Sequence, residues 1–279
     1  MTSASDVEPA SGTMDLTVAP RETLAAGFVE LRVDGSRADV VLNRPDVRNA
    51  QTPATWRALA SVPSLLPDKV RVVVLRGEGR SFSAGLDRRM FDPAGVPGEG
   101  SLVSLAARPA EEIDATIAHY QQAFSWWRGH DAVTIAAVQG HAVGAGFQLA
   151  LACDLVVCAD DAQFIMREPS LGLVPDLGGT APLVDVVGYP RALEICATGR
   201  AVHAAEAVSL GIAQAAVPTE SLAAAVDDLV AALLAPPAGA VVAIKRLLRG
   251  AAGRSRAEQM AAERAEQVGR LADLRRLLG

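Results

Sequence analysis

The sequence predicts an α/β core followed by a helical C-terminal region, and three observations carry that prediction. First, "VRVVVLRGEG" (70–79) and "AVTIAAVQG" (132–140) are near-continuous apolar runs rich in β-branched residues. That is the texture of strands covered on both faces. Second, "HAVGAGFQLALACD" follows the latter run at once, with helical texture over 144–153, and "LVVCAD" (155–160) then reads as another strand. Strand, glycine turn, helix and strand thus alternate, as in α/β proteins. Third, beyond residue 178 the chain becomes Ala- and Leu-rich and helical, interrupted by one short apolar run, "AQAAVP". Pro236-Pro237 marks a helix boundary, and 238–250 and 254–277 keep helical apolar spacing.

The other elements follow in order. Residues 1–27 have no basic start leading into an apolar core, so they read as a disordered tail and not as a secretory signal. "FVELRVDGSRADVVLNRP" (28–45) gives two β-rich runs around Asp34-Gly35-Ser36-Arg37, a hairpin signal, and Pro45 closes the second run. Residues 90–112, rich in Gly and Pro, read as a long loop facing the substrate, and 111–129 as a helix. Trp126, Trp127, Phe124 and Tyr120 on that helix are expected in the core. The domain reading is a core over 28–200 and a helical subdomain over 201–279, whose Ala/Leu/Val surface suggests packing against a partner subunit.

Composition narrows the function classes. The 279 residues are 50% hydrophobic and carry a formal net charge of −6, which argues against a nucleic-acid-binding surface. Cys153, Cys158 and Cys196 lie in apolar runs without metal-ligand or disulfide-framework spacing and read as buried thiols in a reducing compartment. No apolar run reaches the roughly 18 residues needed to span a bilayer. A cytoplasmic protein is expected. The four histidines, 119, 130, 141 and 203, lack metal-site spacing and read as structural.

Two segments share a design. "RSFSAGLDRR" (80–89) places a turn of small residues after the strand that ends near Arg76. "GHAVGAGFQLA" (140–150) places a glycine turn after the strand ending near Val138 and opens a helix. Backbone N–H groups at such turns lack intrahelical acceptors and bind negative oxygen. Two of them at adjacent strand ends would clamp one developing oxyanion. Taken alone, a glycine turn before a helix more often serves close helix–strand packing, and neither turn carries a phosphate-loop or dinucleotide fingerprint.

Taken together, "VLNRPDVRNA", "VVVLRGEGRSFSAGLD", "AAVQGHAVGAGFQLALACDLVVCADDAQF", "EPSLGLVPDLGGT" and "RALEICATGRAVHAAEAVSLGIAQAAVP" resemble, in order and spacing, the crotonase (enoyl-CoA hydratase/isomerase) superfamily. The likeness runs from about residue 28 to about 250. The resemblance implies a crotonase-like spiral of stacked ββα units with a C-terminal helical region that makes trimers, often paired into hexamers. It implies an acyl-CoA thioester as substrate and no redox cofactor or metal. The two oxyanion-hole donors of the family match the main-chain N–H groups of Leu86 and Ala145. Ala145 stands where relatives often have Gly, and it serves if its φ is negative.

The family's hydratases carry two glutamates. One matches Glu168; the other matches Gln148, which is not an acid. A glutamine amide can hold a water but cannot accept its proton near neutral pH. Asp176, eight residues after Glu168, lies where several family isomerases place a catalytic Asp. The expected reaction is therefore double-bond isomerisation, with Glu168 and Asp176 as the proton-transfer pair and Gln148 as a substrate- or water-positioning residue. Each acid has a structural alternative: an ion pair with Arg167 for Glu168, and a cap on a helix beginning at Gly178 for Asp176. The resemblance also implies CoA contacts at Arg48, Ala84, Arg89 and Lys245, with solvated surface charge the alternative for the two arginines, and Asp87 reads as a buttress of the first turn. A hydratase using Glu168 and a non-catalytic acyl-CoA-binding protein are the other readings.

Overall fold

The structure, a computed structural model, describes residues 20–278. The elements in chain order are α1 (Pro20–Ala26), β1 (Val29–Asp34), β2 (Arg37–Leu42), α2 (Pro53–Ser61), β3 (Val72–Gly77), α3 (Leu102–Ala106), α4 (Ala110–Gly129), β4 (Val133–Val138), β5 (His141–Val143), α5 (Ala145–Ala152), β6 (Leu155–Ala159) and β7 (Gln163–Ile165). They continue with α6 (Thr180–Val187), α7 (Tyr189–Thr198), β8 (Ala201–His203), α8 (Ala204–Ser209), β9 (Ala215–Val217), α9 (Leu222–Leu234), α10 (Ala238–Ala251) and α11 (Arg256–Leu278).

Six strands form one sheet in the order β1-β2-β3-β4-β6-β9. The β1–β2 hairpin is antiparallel and every later pairing in that sheet is parallel. The hairpin turns through Gly35 at φ 55°, a conformation open to glycine. The continuous apolar texture of β3 and β4 has a direct cause in packing. Val73, Leu75, Ala136 and Val138 face the main core, where Trp127, Phe82 and Leu149 are fully buried. Val72, Val74, Ile135 and Ala137 face a second core closed by Leu222, Val226 and Val230 of α9. Both faces are covered along most of their length; the buried polar exception in β4, Thr134, is satisfied by Asp154.

A second sheet of three short strands, β5-β7-β8, sits beside the first. β5 pairs parallel with β7, and β7 antiparallel with β8. The chain leaves β4 of one sheet and enters β5 of the other within three residues. This offset brings two loops onto one another.

Several expectations change. Within the stretch expected as a disordered tail, residues 1–19 lie outside the described residues, while 20–26 form α1, whose Leu24 is buried in the main core. The boundary at 200/201 does not hold either. β8 pairs with β7, and β9 with β6, so 201–217 complete the two sheets and the helical region begins at α9. Residues 90–112 are not one loop. They contain a 3-10 turn, a bridge between Val96 and Gly100, and α3, which is capped reciprocally by Ser101 and Ser104. Each piece is too short to show periodicity. As expected, Trp127 is a core residue, with Trp126 stacked on it at 4.0 Å. No single helix among the described residues is long and apolar enough to cross a membrane.

Candidate active site

The first turn is fixed by backbone pairing. Phe82 N–H donates to Gln139 O at 2.8 Å and Ser83 N–H to His141 O at 2.9 Å, while Val143 N–H donates to Ser83 O at 3.0 Å. Gly85 follows at φ 80°; a Cβ there would lie 2.3 Å from Val143 O, so only glycine lets the first turn approach the second this closely. Gln51 N–H donates to Gly85 O at 2.7 Å, and Asp87 N–H donates to Gln51 O at 2.8 Å. Adjacent backbone N–H groups alternate in direction along an extended segment, so Leu86 N–H points away from Gln51. Among the described residues it has no acceptor.

The second turn is Gly144, at φ 51° and ψ −116°, held by its N–H to Ile165 O at 2.7 Å. Glycine carries the positive φ, which leaves Ala145 as the first residue of α5 with an unstrained backbone. The condition set by alanine at 145 is therefore met. As a first-turn residue of a helix, Ala145 has an N–H without an intrahelical acceptor. The turns are neighbours: a Cβ built on Gly85 would stand 3.6 Å from Ala145 N. Two N–H groups without an acceptor among the described residues, Leu86 and Ala145, thus sit on adjoining turns.

A buried polar chain supports the first turn, and sequence reasoning missed it. Trp56 Nε1–H donates to Gln51 Oε1 at 2.8 Å, and Gln51 Nε2–H donates to Ser83 Oγ at 3.0 Å. Ser83 Oγ donates to Asn49 O at 2.8 Å and accepts Gly85 N–H at 3.2 Å. Gln51 and Ser83 are fully buried, and buried polar groups need all their partners. The legible signal was a run of polar residues, "RNAQT", where a strand-to-helix connection had to be buried. Asp87 buttresses the same turn as expected. It accepts from Arg44 Nη1 at 2.6 Å and from Arg89 Nη2 at 2.9 Å, and the Arg89 and Arg44 guanidiniums hold its carboxyl far below the usual range despite burial.

The acids lie beside the second turn. Glu168 is buried; its Oε1 accepts Gln148 Nε2–H at 2.8 Å, and its Oε2 is buried without a hydrogen-bond partner among the described residues. A Cβ on Gly144 would be 3.2 Å from Glu168 Oε1, which places this carboxyl directly behind the second donor. Burial raises the pKa of Glu168, and the charge of Asp176 adds to the rise. Burial raises Asp176 as well. Neither structural alternative is realised. No ion pair joins Glu168 to Arg167 among the described residues, and α6 is capped by Gly179 with no side-chain cap bond. Gln148 Oε1 accepts Leu177 N–H at 2.9 Å and Gly179 N–H at 3.3 Å, so both its lone pairs are taken. Gln121 of α4, also missed from sequence, donates to Asp176 O at 2.7 Å.

The four expected CoA residues separate. Arg48 is exposed, in left-handed conformation at φ 54°, and its side chain has no carboxylate partner among the described residues. Its O accepts Ala84 N–H at 2.8 Å, so the two are adjacent. Arg89 is shared with Asp87. Lys245 is a correction. Its ammonium turns inward onto Asp154 Oδ2 at 2.6 Å, Ala132 O at 2.6 Å and Trp127 O at 3.4 Å, which leaves no N–H for a phosphate.

Facing glycine turns, a buried carboxyl beside the second and two sheets offset at that point meet in one place. Comparison with known proteins gives the family. The family model for enoyl-CoA hydratase/isomerase matches residues 33–270. A Mycobacterium bovis relative bearing an enoyl-CoA hydratase name is 32% identical over 190 residues, 66% of each chain and thus just under two thirds of its length. The 1,2-epoxyphenylacetyl-CoA isomerase of Escherichia coli K12 is 32% identical over 255 residues, 89% of this chain and 92% of that one. A crystal structure from Thermobifida fusca YX, again bearing an enoyl-CoA hydratase name and solved in complex with CoA, is 49% identical with a TM-score of 0.85, covering 91% of this chain and 97% of its own. The chain belongs to the enoyl-CoA hydratase/isomerase family, within the crotonase superfamily.

Proposed function

We infer that the protein isomerises the double bond of an enoyl-CoA thioester. Leu86 and Ala145 N–H groups hold the thioester oxygen, which makes the α-proton acidic. A carboxylate of the Glu168/Asp176 pair takes that proton as the C–H bond breaks, and the electron pair moves onto the thioester oxygen. The same carboxyl, or its partner, then returns a proton further along the acyl chain while the double bond re-forms, so nothing is added or lost. Oxyanion donors are typically worth 10²–10³ in rate and a positioned acid or base 10²–10⁴.

The observation that carries this reading is the side chain at 148. Hydration needs a second group able to take a proton from water, and position 148 offers an amide whose oxygen is already filled by two backbone N–H groups. Asp176 supplies the second carboxyl in its place, close enough for its charge to act on Glu168. Arg48, as the free exposed cation next to Ala84, is the proposed phosphate contact, with Arg89 in second place. The proposed assembly is a homotrimer or a dimer of trimers.

The test is mass spectrometry of a 3-enoyl-CoA incubated with the protein in heavy water. Deuterium uptake without added water, abolished in Asp176→Asn and Glu168→Gln, supports isomerisation. Uptake with a full added water makes the protein a hydratase. Unchanged but bound substrate points to a binding protein.

A further inference from the structure

One side chain reaches Glu168 directly and, through the Leu177 and Gly179 backbone, the segment that follows Asp176. Gln148 lies in the first turn of α5, is 1% exposed, and makes three hydrogen bonds to parts of the chain 20 to 31 residues away. Its orientation is not arbitrary. Leu177 N–H and Gly179 N–H can meet only the amide oxygen, so the amide nitrogen must face Glu168. Gly179 is packed so tightly that a Cβ there would lie 2.6 Å from Gln148 Cγ. Any larger residue at 179 would displace the amide. From the other side, Gln121 Nε2–H holds Asp176 O at 2.7 Å. The Asp176 backbone is thus clamped between α4 and α5.

The same bonds dictate what is left over. With Glu168 Oε1 held by Gln148 and backed by Gly144, the oxygen without a partner is Oε2, and it is buried. We propose that Gln148 is a positioning residue for both carboxyls: its N–H selects Glu168 Oε2 as the proton-carrying atom, and its oxygen fixes the Leu177–Gly179 segment that presents Asp176. This rests on the proton-transfer reading of the site. It explains why an amide serves better than a carboxylate at 148. A carboxylate would still accept the two backbone N–H groups but would set a second negative oxygen against Glu168. The titratable groups that sense Glu168 are Asp176 and Cys196 of α7, and neither is a cation that could offset that charge.

Two substitutions separate the two halves of the amide's role. Gln148→Met keeps the volume and removes every hydrogen bond. Gln148→Glu keeps the acceptor and reverses the donor. Hydrogen exchange reads the first half, and the amides of Leu177 and Gly179 are expected to lose about tenfold protection in Gln148→Met while keeping it in Gln148→Glu. The pH profile of deuterium uptake reads the second. In Gln148→Glu its acid limb is expected to move up by about one unit or more, because two facing carboxylates share a proton. Gln148→Met is expected to lower kcat about 10²-fold with KM little changed, as misplacement of a reacting group does. Equal protection in wild type and Gln148→Met, or a Gln148→Glu profile that overlays wild type, overturns the proposal. The amide measurement needs no turnover, and titration of 13C-labelled glutamate carboxyls, with Glu168 assigned from Glu168→Gln, replaces the rate profile. The clamp is therefore judged even if wild type exchanges no deuterium, a result that would remove the isomerase reading alone.

Discussion

Gly144 and Ala145 divide between them what relatives often assign to glycine at the second donor: Gly144 takes the positive φ, and Ala145 contributes only its N–H. Gly144→Ala is therefore expected to be severe. It places a Cβ 3.2 Å from Glu168 Oε1 and a side chain on a backbone conformation that L-residues rarely adopt. A loss of about 1–3 kcal/mol in stability is expected from urea unfolding, with a larger fall in turnover. Glu168 itself opposes folding near neutral pH, since burial and Asp176 raise its pKa. The folded state then holds the proton more tightly than the unfolded chain, so stability is present below the ordinary glutamate range and is lost as pH rises through the raised value. Glu168→Gln is expected to flatten that decline and to melt higher than wild type at neutral pH, by calorimetry across pH. A wild-type curve parallel to that of the variant would refute the assignment. Asp87 has the opposite sign: its lowered pKa gives stability above the ordinary aspartate range that is lost on acidification.

Among the elements, α10 is tied to the core by Lys245, which reaches the end of α4, the start of β4 and Asp154 at once. Asp154 Oδ2 also accepts from Thr134 N–H at 2.7 Å and Thr134 Oγ1 at 2.9 Å, so it is a hub and not a surface pair. Lys245→Met leaves that carboxylate without its cation, and such a break is expected to cost about 3 kcal/mol in denaturant unfolding. The KM for acyl-CoA should not change. A raised KM with unchanged stability would restore Lys245 to the CoA site. At this scale the sequence was legible where an element had a full period or a strong turn residue, as in β3, β4 and the Gly35 hairpin. It was not legible for α3, β5, β7 or β8. Three- to five-residue elements carry no period, and their existence depends on strands that arrive from elsewhere in the chain.

For the whole molecule, one set of exposed apolar side chains lies on the later helices. Tyr189 and Leu193 lie on α7, Ile244 and Leu248 on α10, and Met260, Val268, Leu271 and Leu274 on α11. Of α11, no residue from 256 to 276 is buried. Positions 259, 262, 266, 269, 270 and 273 are half-buried along one face of this 23-residue helix, which packs on α10, while its other faces, with Met260, Val268, Leu271 and Leu274, are exposed and unpartnered in this chain. Sedimentation is expected to show three or six copies, and Leu248→Asp is expected to shift the protein to smaller species. A monomer at micromolar concentration would count against the proposed assembly.

The α/β class, the family resemblance, the two glycine turns and the positions of the two acids could all be read from the residues alone, because each is written in contiguous residues with local chemistry. Tertiary structure alone decided how they work together. It brought Gly85 against Val143, seated Gln51 and Ser83 beneath the first donor, and turned Lys245 away from the surface. It also joined Gln148 to Glu168 and to the Asp176 segment. Those contacts span 20 to more than 100 residues of chain, and a hydrogen bond across such a distance depends on packing that no local pattern records.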